Sequence, residues 1–232
     1  EIEEIVIGQE SMSIEEYFEA RAIDLTTFIF FSDGMMLELA GFLGHFGISS
    51  SQLLKNIIER KDELLTEDLK KLYKSFDNET RNELWDSKED LVKYVKSLNP
   101  MTYNEKIVGH NIMFKHRAIS LIDLVDDIVD VAFNAAQDIL PSKISKQNKK
   151  YIDELQVFCK LRKRKLFNYD QVYRKVFKYD FYKLGENGLA YKDIAERFST
   201  PQELVFFHTE MQKGIFGSFH TDLKGVMRIL PR

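Results

Sequence analysis

The sequence has little cysteine, proline and glycine. Cys159 is the sole cysteine among 232 residues, and there are 4 prolines and 11 glycines. One cysteine excludes an internal disulfide and any metal centre built from cysteines alone, and it is typical of a reducing, cytoplasmic location. The scarcity of glycine and proline predicts long regular elements rather than a turn-rich β-sandwich.

The chain also lacks a strong excess of one charge and a long apolar run. Its 33 Lys and Arg against 37 Asp and Glu give a net charge of −4, so no global positive field favours nucleic acid as a partner. No window reaches the roughly 18 consecutive apolar residues of a spanning helix, and the acidic start EIEEIVIG is unlike a signal peptide. We therefore expect no membrane partner, while the oligomeric state stays open.

What the sequence does contain is helical periodicity over most of its length. With 44% hydrophobic residues, the chain can bury a sizeable core. We predict an all-α, multi-helix orthogonal bundle with room for one short β-pair. Residues 1–12 are predicted to be a linker, followed by a single helical domain over 13–232 that divides into sub-domains 13–140 and 146–232.

A helical hairpin over 13–46 is predicted to form the apolar centre of this bundle. Ser13 is a good N-cap, and Glu16 stands at the capping-box position. The chain breaks at Ser32-Asp33-Gly34 and resumes as a second apolar helix, for which Gly47 is a left-handed cap. Nothing in this hairpin carries obvious chemistry, so its predicted role is structural.

The later elements follow from capping and periodicity. We predict a third helix over about 52–65 and a long helix over 104–140 that ends before Pro141. The segment 176–184 is predicted to be extended. Residues 200–203 (TPQE) match the start of a helix, although the following LVFFH is equally compatible with a short strand.

The sharpest signal for chemistry is an acidic stripe on the predicted 104–140 helix. Asp126, Asp127 and Asp130 form a DDxxD motif, whose carboxylates can bind Mg²⁺ and through it a diphosphate. This pattern favours a magnesium-dependent, isoprenoid-type helical enzyme, although no second metal motif is found. His116 and Asp123 with Asp127 could instead form a mixed nitrogen and oxygen metal site. A solvent-exposed polar face explains the same residues.

Two further features have both a functional and a structural interpretation. Cys159 could act as a nucleophile only beside His208 or His220, and is otherwise a small buried residue. The basic cluster over 160–165, next to the aromatic segment 169–182, could bind single-stranded nucleic acid, which the net charge disfavours. It could also dock an acidic protein partner, or pair with the acidic stripe over 123–138 across a helix interface.

Three segments of the opening hairpin resemble a known family. They are 9–17 (QESMSIEEY), 19–25 (EARAIDL) and 29–34 (IFFSDG). They are similar to the region after the barrel in cobalamin-binding-domain radical S-adenosylmethionine proteins, where T-M-S-x-x-x-Y/F, E-x-R and F-Y-N-x-G lead into a helical C-terminal region. Later pieces look similar too: 178–181 (KYDF), 206–212 (FFHTEMQ) and 224–232 (KGVMRILPR).

The resemblance implies an accessory C-terminal helical domain of a cobalamin-dependent radical enzyme. Such a domain would cover or shape the substrate site, or mediate assembly with upstream domains of the same parent. The parent would use a [4Fe–4S] cluster, S-adenosylmethionine and cobalamin. This chain has neither the CxxxCxxC loop nor the DxHxxG signature, so no cofactor or catalytic residue is carried over to it. Because the chain starts at Glu1 without a methionine, we expect it to be a piece of a longer protein.

Overall fold

A computed structural model of the chain describes residues 11–98, 111–142, 144–167, 170–186 and 194–213. The predicted mostly-α fold with one short β-pair is confirmed. Most of the predicted linker, His220 and the similar piece 224–232 lie outside the described residues. The elements in chain order are α1 (Ile14–Phe30), a 3-10 turn (Ser32–Gly34), α2 (Leu37–His45), α3 (Ser50–Glu59), α4 (Lys61–Leu64), α5 (Glu67–Asn82), α6 (Lys88–Ser97), α7 (Ile112–Asp123), α8 (Val125–Ile139), α9 (Lys146–Phe167), β1 (Tyr173–Tyr179), α10 (Phe181–Glu186) and β2 (Arg197–Phe206).

Both helices of the predicted hairpin are present, and their caps are the predicted ones. The prediction of a hairpin is wrong, however, because the two helices meet at 88°, whereas the helices of a hairpin run antiparallel; α2 turns away to pack against α9. The hydroxyl of Ser13 accepts a hydrogen bond from the backbone N–H of Glu16 at 3.2 Å, and the Glu16 carboxylate accepts one from the backbone N–H of Ser13 at 2.6 Å. Gly47 has a φ of +74°, as a left-handed cap requires. Among the described residues, no single helix has the length and apolar character needed to cross a membrane. The bent pair made by 14–34 and α2 passes that test by length and composition only, with a bend of 88°.

Helix α8 is a second centre of the core. It packs against α3, α9, α7, α4 and α1, and its small residues allow this close approach from several sides. Burial of this apolar surface is the main stabilising contribution to the fold. The buried residues of α8 are Val125, Ile128, Val129, Val131, Ala132, Phe133, Ala135 and Ala136.

The prediction of a single helix over 104–140 is wrong within the described residues, which exclude 104–110. The chain leaves helical geometry at Leu124, where φ is −122° and ψ is 21°, and α8 starts anew beyond it. The physical reason is packing: α7 lies against α5 and α1, whereas α8 lies mainly against α3 and α9. One straight helix would not follow both sets of neighbours. The helix predicted over 52–65 is broken in a similar way, at Arg60.

The helix start predicted at 200–203 is also wrong, because these residues lie in β2. Strands β1 and β2 pair antiparallel, with Tyr173 opposite Phe206. Between Phe177 and Tyr179 the register shifts, so that extra residues of β2 bulge out of the pairing. Pro201 lies in this bulge, where its missing N–H costs no ladder hydrogen bond. The extended structure predicted for 176–184 is correct up to Tyr179, after which α10 begins.

Candidate functional site

A buried carboxylate lies where α2 and α9 meet the 3-10 turn. Glu38, in the first turn of α2, is 4% exposed, and Lys163 of α9 is 5% exposed. The Lys163 ammonium nitrogen lies 3.8 Å from Glu38 Oε2, and Arg162 forms an ion pair with the other oxygen. The thiol of Cys159 lies 4.0 Å from Glu38 Oε2. We call these four residues the Glu38 cluster.

The Glu38 cluster also holds the 3-10 turn in place. Lys163 donates a hydrogen bond to the carbonyl oxygen of Gly34 at 3.2 Å. On the other side of the turn, the Asp33 carboxylate pairs with Arg117 of α7, whose guanidinium lies 4.1 Å above the Phe28 ring. The turn needs this support because Asp33 has a φ of +53°, a conformation that non-glycine residues adopt at a cost.

The surroundings of Cys159 favour its structural interpretation. Complete burial raises the pKa of this thiol well above its usual value, and the neighbouring Glu38 carboxylate raises it further. The thiol is therefore protonated at neutral pH, whereas a nucleophilic cysteine needs a lowered pKa. His220, one of its two suggested partners, lies outside the described residues.

The five candidate metal ligands do not come together in the described structure. The break at Leu124 puts His116 and Asp123 on α7 and the three aspartates of the DDxxD motif on α8. Asp123 is exposed and Asp127 is half-buried. Among the residues that the structure describes, no group of three or more His, Cys, Asp or Glu could hold a metal ion.

Two carboxylates of the DDxxD motif pair with the basic cluster of α9. Asp126 accepts a hydrogen bond from Arg164 Nε at 2.8 Å. Asp130 accepts hydrogen bonds from Lys160 at 2.7 Å and from the Gln156 amide at 2.6 Å. The basic cluster therefore pairs with the acidic stripe across a helix interface, which was one of the alternatives that the sequence left open.

Four cations of the basic cluster consequently have carboxylate partners within the described part of the chain. Lys160 and Arg164 pair with α8, while Arg162 and Lys163 pair with Glu38 of α2. Residues that already have intramolecular counter-ions are poor docking points for an acidic partner or for phosphates. This geometry disfavours the two interpretations in which the cluster binds another macromolecule.

His116 belongs to a different buried group, between α5 and α7. It is 1% exposed, and the Ile112 carbonyl oxygen accepts a hydrogen bond from its Nδ1 at 2.9 Å. Its Nε2 makes no hydrogen bond within the described residues and lies 3.6 Å from a carboxylate oxygen of Glu79. Lys115 donates to both oxygens of that carboxylate, at 2.8 and 2.6 Å. Burial lowers the pKa of His116, because it disfavours the charged imidazolium.

Acidification is expected to destabilise the fold through His116. Its pKa is lower in the folded chain than the usual value of about 6.5 in the unfolded chain, so the unfolded state binds the additional proton. The His116 contribution is complete above about pH 6.5 and is lost progressively as the pH falls below that value. Urea unfolding at pH 7.5 and 5.5 should therefore give a larger loss of stability for the wild type than for His116→Gln.

The matched control for this comparison is His45→Gln, which changes an exposed histidine at the end of α2. This variant should keep the wild-type difference between the two pH values. An equal loss of stability in wild type and His116→Gln would show that other groups cause the acid sensitivity.

A cleft of about 390 Å³ adjoins the turn. It is lined by residues of the turn and α2, among them Gly34, Ala40 and Gly44, and by the start of α3 at Ser49 and Ser50. Ala40 and Gly44 have small side chains or none, which leaves space in the wall of the cleft.

The sequence contains a signal for the neighbouring Glu38 cluster. Glu38 is a lone carboxylate in an otherwise apolar helix, and the cations at 162 and 163 are adjacent in α9.

Comparison of the chain with protein-family models, with curated proteins and with solved structures finds no match.

Proposed function

We propose that this chain is an accessory helical domain of a cobalamin-dependent radical S-adenosylmethionine enzyme. Its role would be to cover or shape the substrate site of the parent, or to mediate assembly with upstream domains. The observation that carries the proposal is the turn at Ser32–Gly34, because the segment that resembles the family ends in this turn. The family pattern there ends in glycine.

The geometry of the turn supports this correspondence, since Gly34 occupies a position that requires glycine. Its φ is +69°, which L-residues with a side chain rarely adopt. A Cβ atom at this position would also lie 2.5 Å from Leu37 Cδ1. Ser13, from the first similar segment, caps α1, so residues that carry the resemblance form the start of α1 and the turn that follows it.

The cofactors of such an enzyme do not fit this chain. A [4Fe–4S] cluster is held by several cysteine thiolates, and the chain has one cysteine, which is buried beside Glu38. The chain also lacks the histidine motif that would supply a cobalt ligand. The proposal therefore assigns the cluster, S-adenosylmethionine and cobalamin to upstream domains of the parent and assigns no reactive group to this domain.

The first test is the gene sequence upstream of the codon for Glu1. We expect an in-frame coding region with a CxxxCxxC motif. The encoded full-length protein, purified without oxygen, should contain about four irons per chain, as one [4Fe–4S] cluster requires, and the 232-residue chain alone should contain none. An upstream region without CxxxCxxC would overturn the proposal.

The isoprenoid-type alternative is distinguished by its response to magnesium. It requires free carboxylates in the DDxxD motif, but Asp126 and Asp130 are engaged by Arg164 and Lys160. A prenyl diphosphate with Mg²⁺ should therefore leave the Tm of the chain unchanged. A rise in Tm for the wild type that is absent from Asp127→Ala would favour this alternative.

A further inference from the structure

We propose that the cleft between the end of α5 and helix α6 binds a small organic ammonium ion. The cleft has a volume of about 460 Å³, and its lining includes Trp85, Asp86, Asp90 and Tyr94. Aromatic faces next to carboxylates form a suitable environment for a quaternary ammonium group, which is attracted by the ring quadrupole and by negative charge.

The two aromatic rings form one wall of this cleft. The ring centroids of Trp85 and Tyr94 are 4.9 Å apart, and the ring planes are inclined by 32°. Trp85 is 41% exposed, and no residue of α6 is fully buried. Packing of the core therefore leaves much of this aromatic surface accessible. A cation over such a surface is stabilised more strongly as the site excludes water.

The carboxylates give the cleft a negative charge. The Asp90 carboxylate is fixed by a 2.6 Å hydrogen bond from the Ser87 hydroxyl, which in turn caps α6. Asp86 is exposed and has no hydrogen bond or ion pair with any described residue. Lys93 also lines the cleft, but two carboxylates against one ammonium leave a net negative charge. A ligand cation would thus supply a counter-ion for Asp86, which has none among the described residues.

The test uses choline chloride as the probe and the fluorescence of Trp85 as the readout. Trp85 is the sole tryptophan of the chain, so a change in intrinsic tryptophan emission reports on this cleft. We expect a saturable change with choline at constant ionic strength. The uncharged isostere 3,3-dimethyl-1-butanol should bind about tenfold more weakly, because it has the same shape without the cation–π and charge attraction.

Two variants separate the charge from the aromatic surface. Asp86→Asn should weaken choline binding several-fold, and Tyr94→Leu should remove the saturable change, with folding of each variant checked by its Tm. Asp62→Asn, which alters an exposed aspartate on α4, is the matched control and should bind as the wild type does. Equal binding of choline and its isostere would identify a plain apolar groove and overturn the proposal, as would an absence of any saturable change. Neither result affects the proposal about the parent enzyme, because the residues that line this cleft lie outside the segments that resemble the family.

Discussion

Replacing Glu38 with alanine is expected to lower the free energy of unfolding by about 3–5 kcal/mol, because it leaves a buried cation without its counter-ion. Lys163 is almost fully buried, and its remaining hydrogen bond to the Gly34 carbonyl oxygen does not neutralise it. The loss of Glu38 costs less free energy at Arg162, because the Arg162 side chain is partly exposed and can be solvated by water. Urea unfolding at pH 7.5, followed by far-UV circular dichroism, measures this change.

The matched control is Glu203→Ala, which removes a carboxylate from an exposed ion pair. Glu203 lies 3.2 Å from Arg174, and both side chains are at least half exposed, so the expected change is below about 1 kcal/mol. Glu38→Leu combined with Lys163→Met should recover much of the loss, because both buried charges are then absent. If Glu38→Ala costs no more than Glu203→Ala, the Glu38 cluster has no stabilising role.

Local features of the fold could be predicted from the sequence because they depend on a few neighbouring residues. The N-cap Ser13 uses a side chain within one helical turn, and Gly47 needs only its own backbone freedom. The break at Leu124 could not be predicted. No glycine or proline marks it, and it follows from the different neighbours of α7 and α8.

The pairing of α8 with α9 could be predicted from the sequence only in part. Asp126 and Asp130 are four residues apart, and so are their partners Lys160 and Arg164, as the geometry of facing helices requires. The higher-numbered aspartate pairs with the lower-numbered cation, as expected for antiparallel helices. The sequence contained this matched spacing, but it did not specify which helix α9 would face. The same spacing of aspartates was therefore also compatible with a metal site.

Replacing Phe158 with alanine is expected to cost about 3–5 kcal/mol, the range for truncating a buried aromatic residue. The Phe158 ring, on α9, is fully buried. Its centroid lies 6.0 Å from that of Phe177 in β1, 5.3 Å from Phe181 in α10 and 5.6 Å from Phe206 in β2. The Phe158 side chain thus connects the helical core to both strands of the β-pair and to α10. Urea unfolding measures the change in the free energy of unfolding when it is truncated.

Val157→Ala is the matched control, since this neighbouring side chain is 36% exposed and its truncation should cost less than about 1 kcal/mol. A two-stranded β-pair is marginally stable by itself, so β1 and β2 depend on Phe158 more than α8 does. Amide hydrogen exchange in Phe158→Ala should therefore accelerate first at Lys175 and Leu204, which lie opposite each other in the β-pair, while the amides of α8 stay protected longer. Equal acceleration in α8 would instead mean that the β-pair and the helices unfold as one cooperative unit, contrary to the predicted division into sub-domains 13–140 and 146–232.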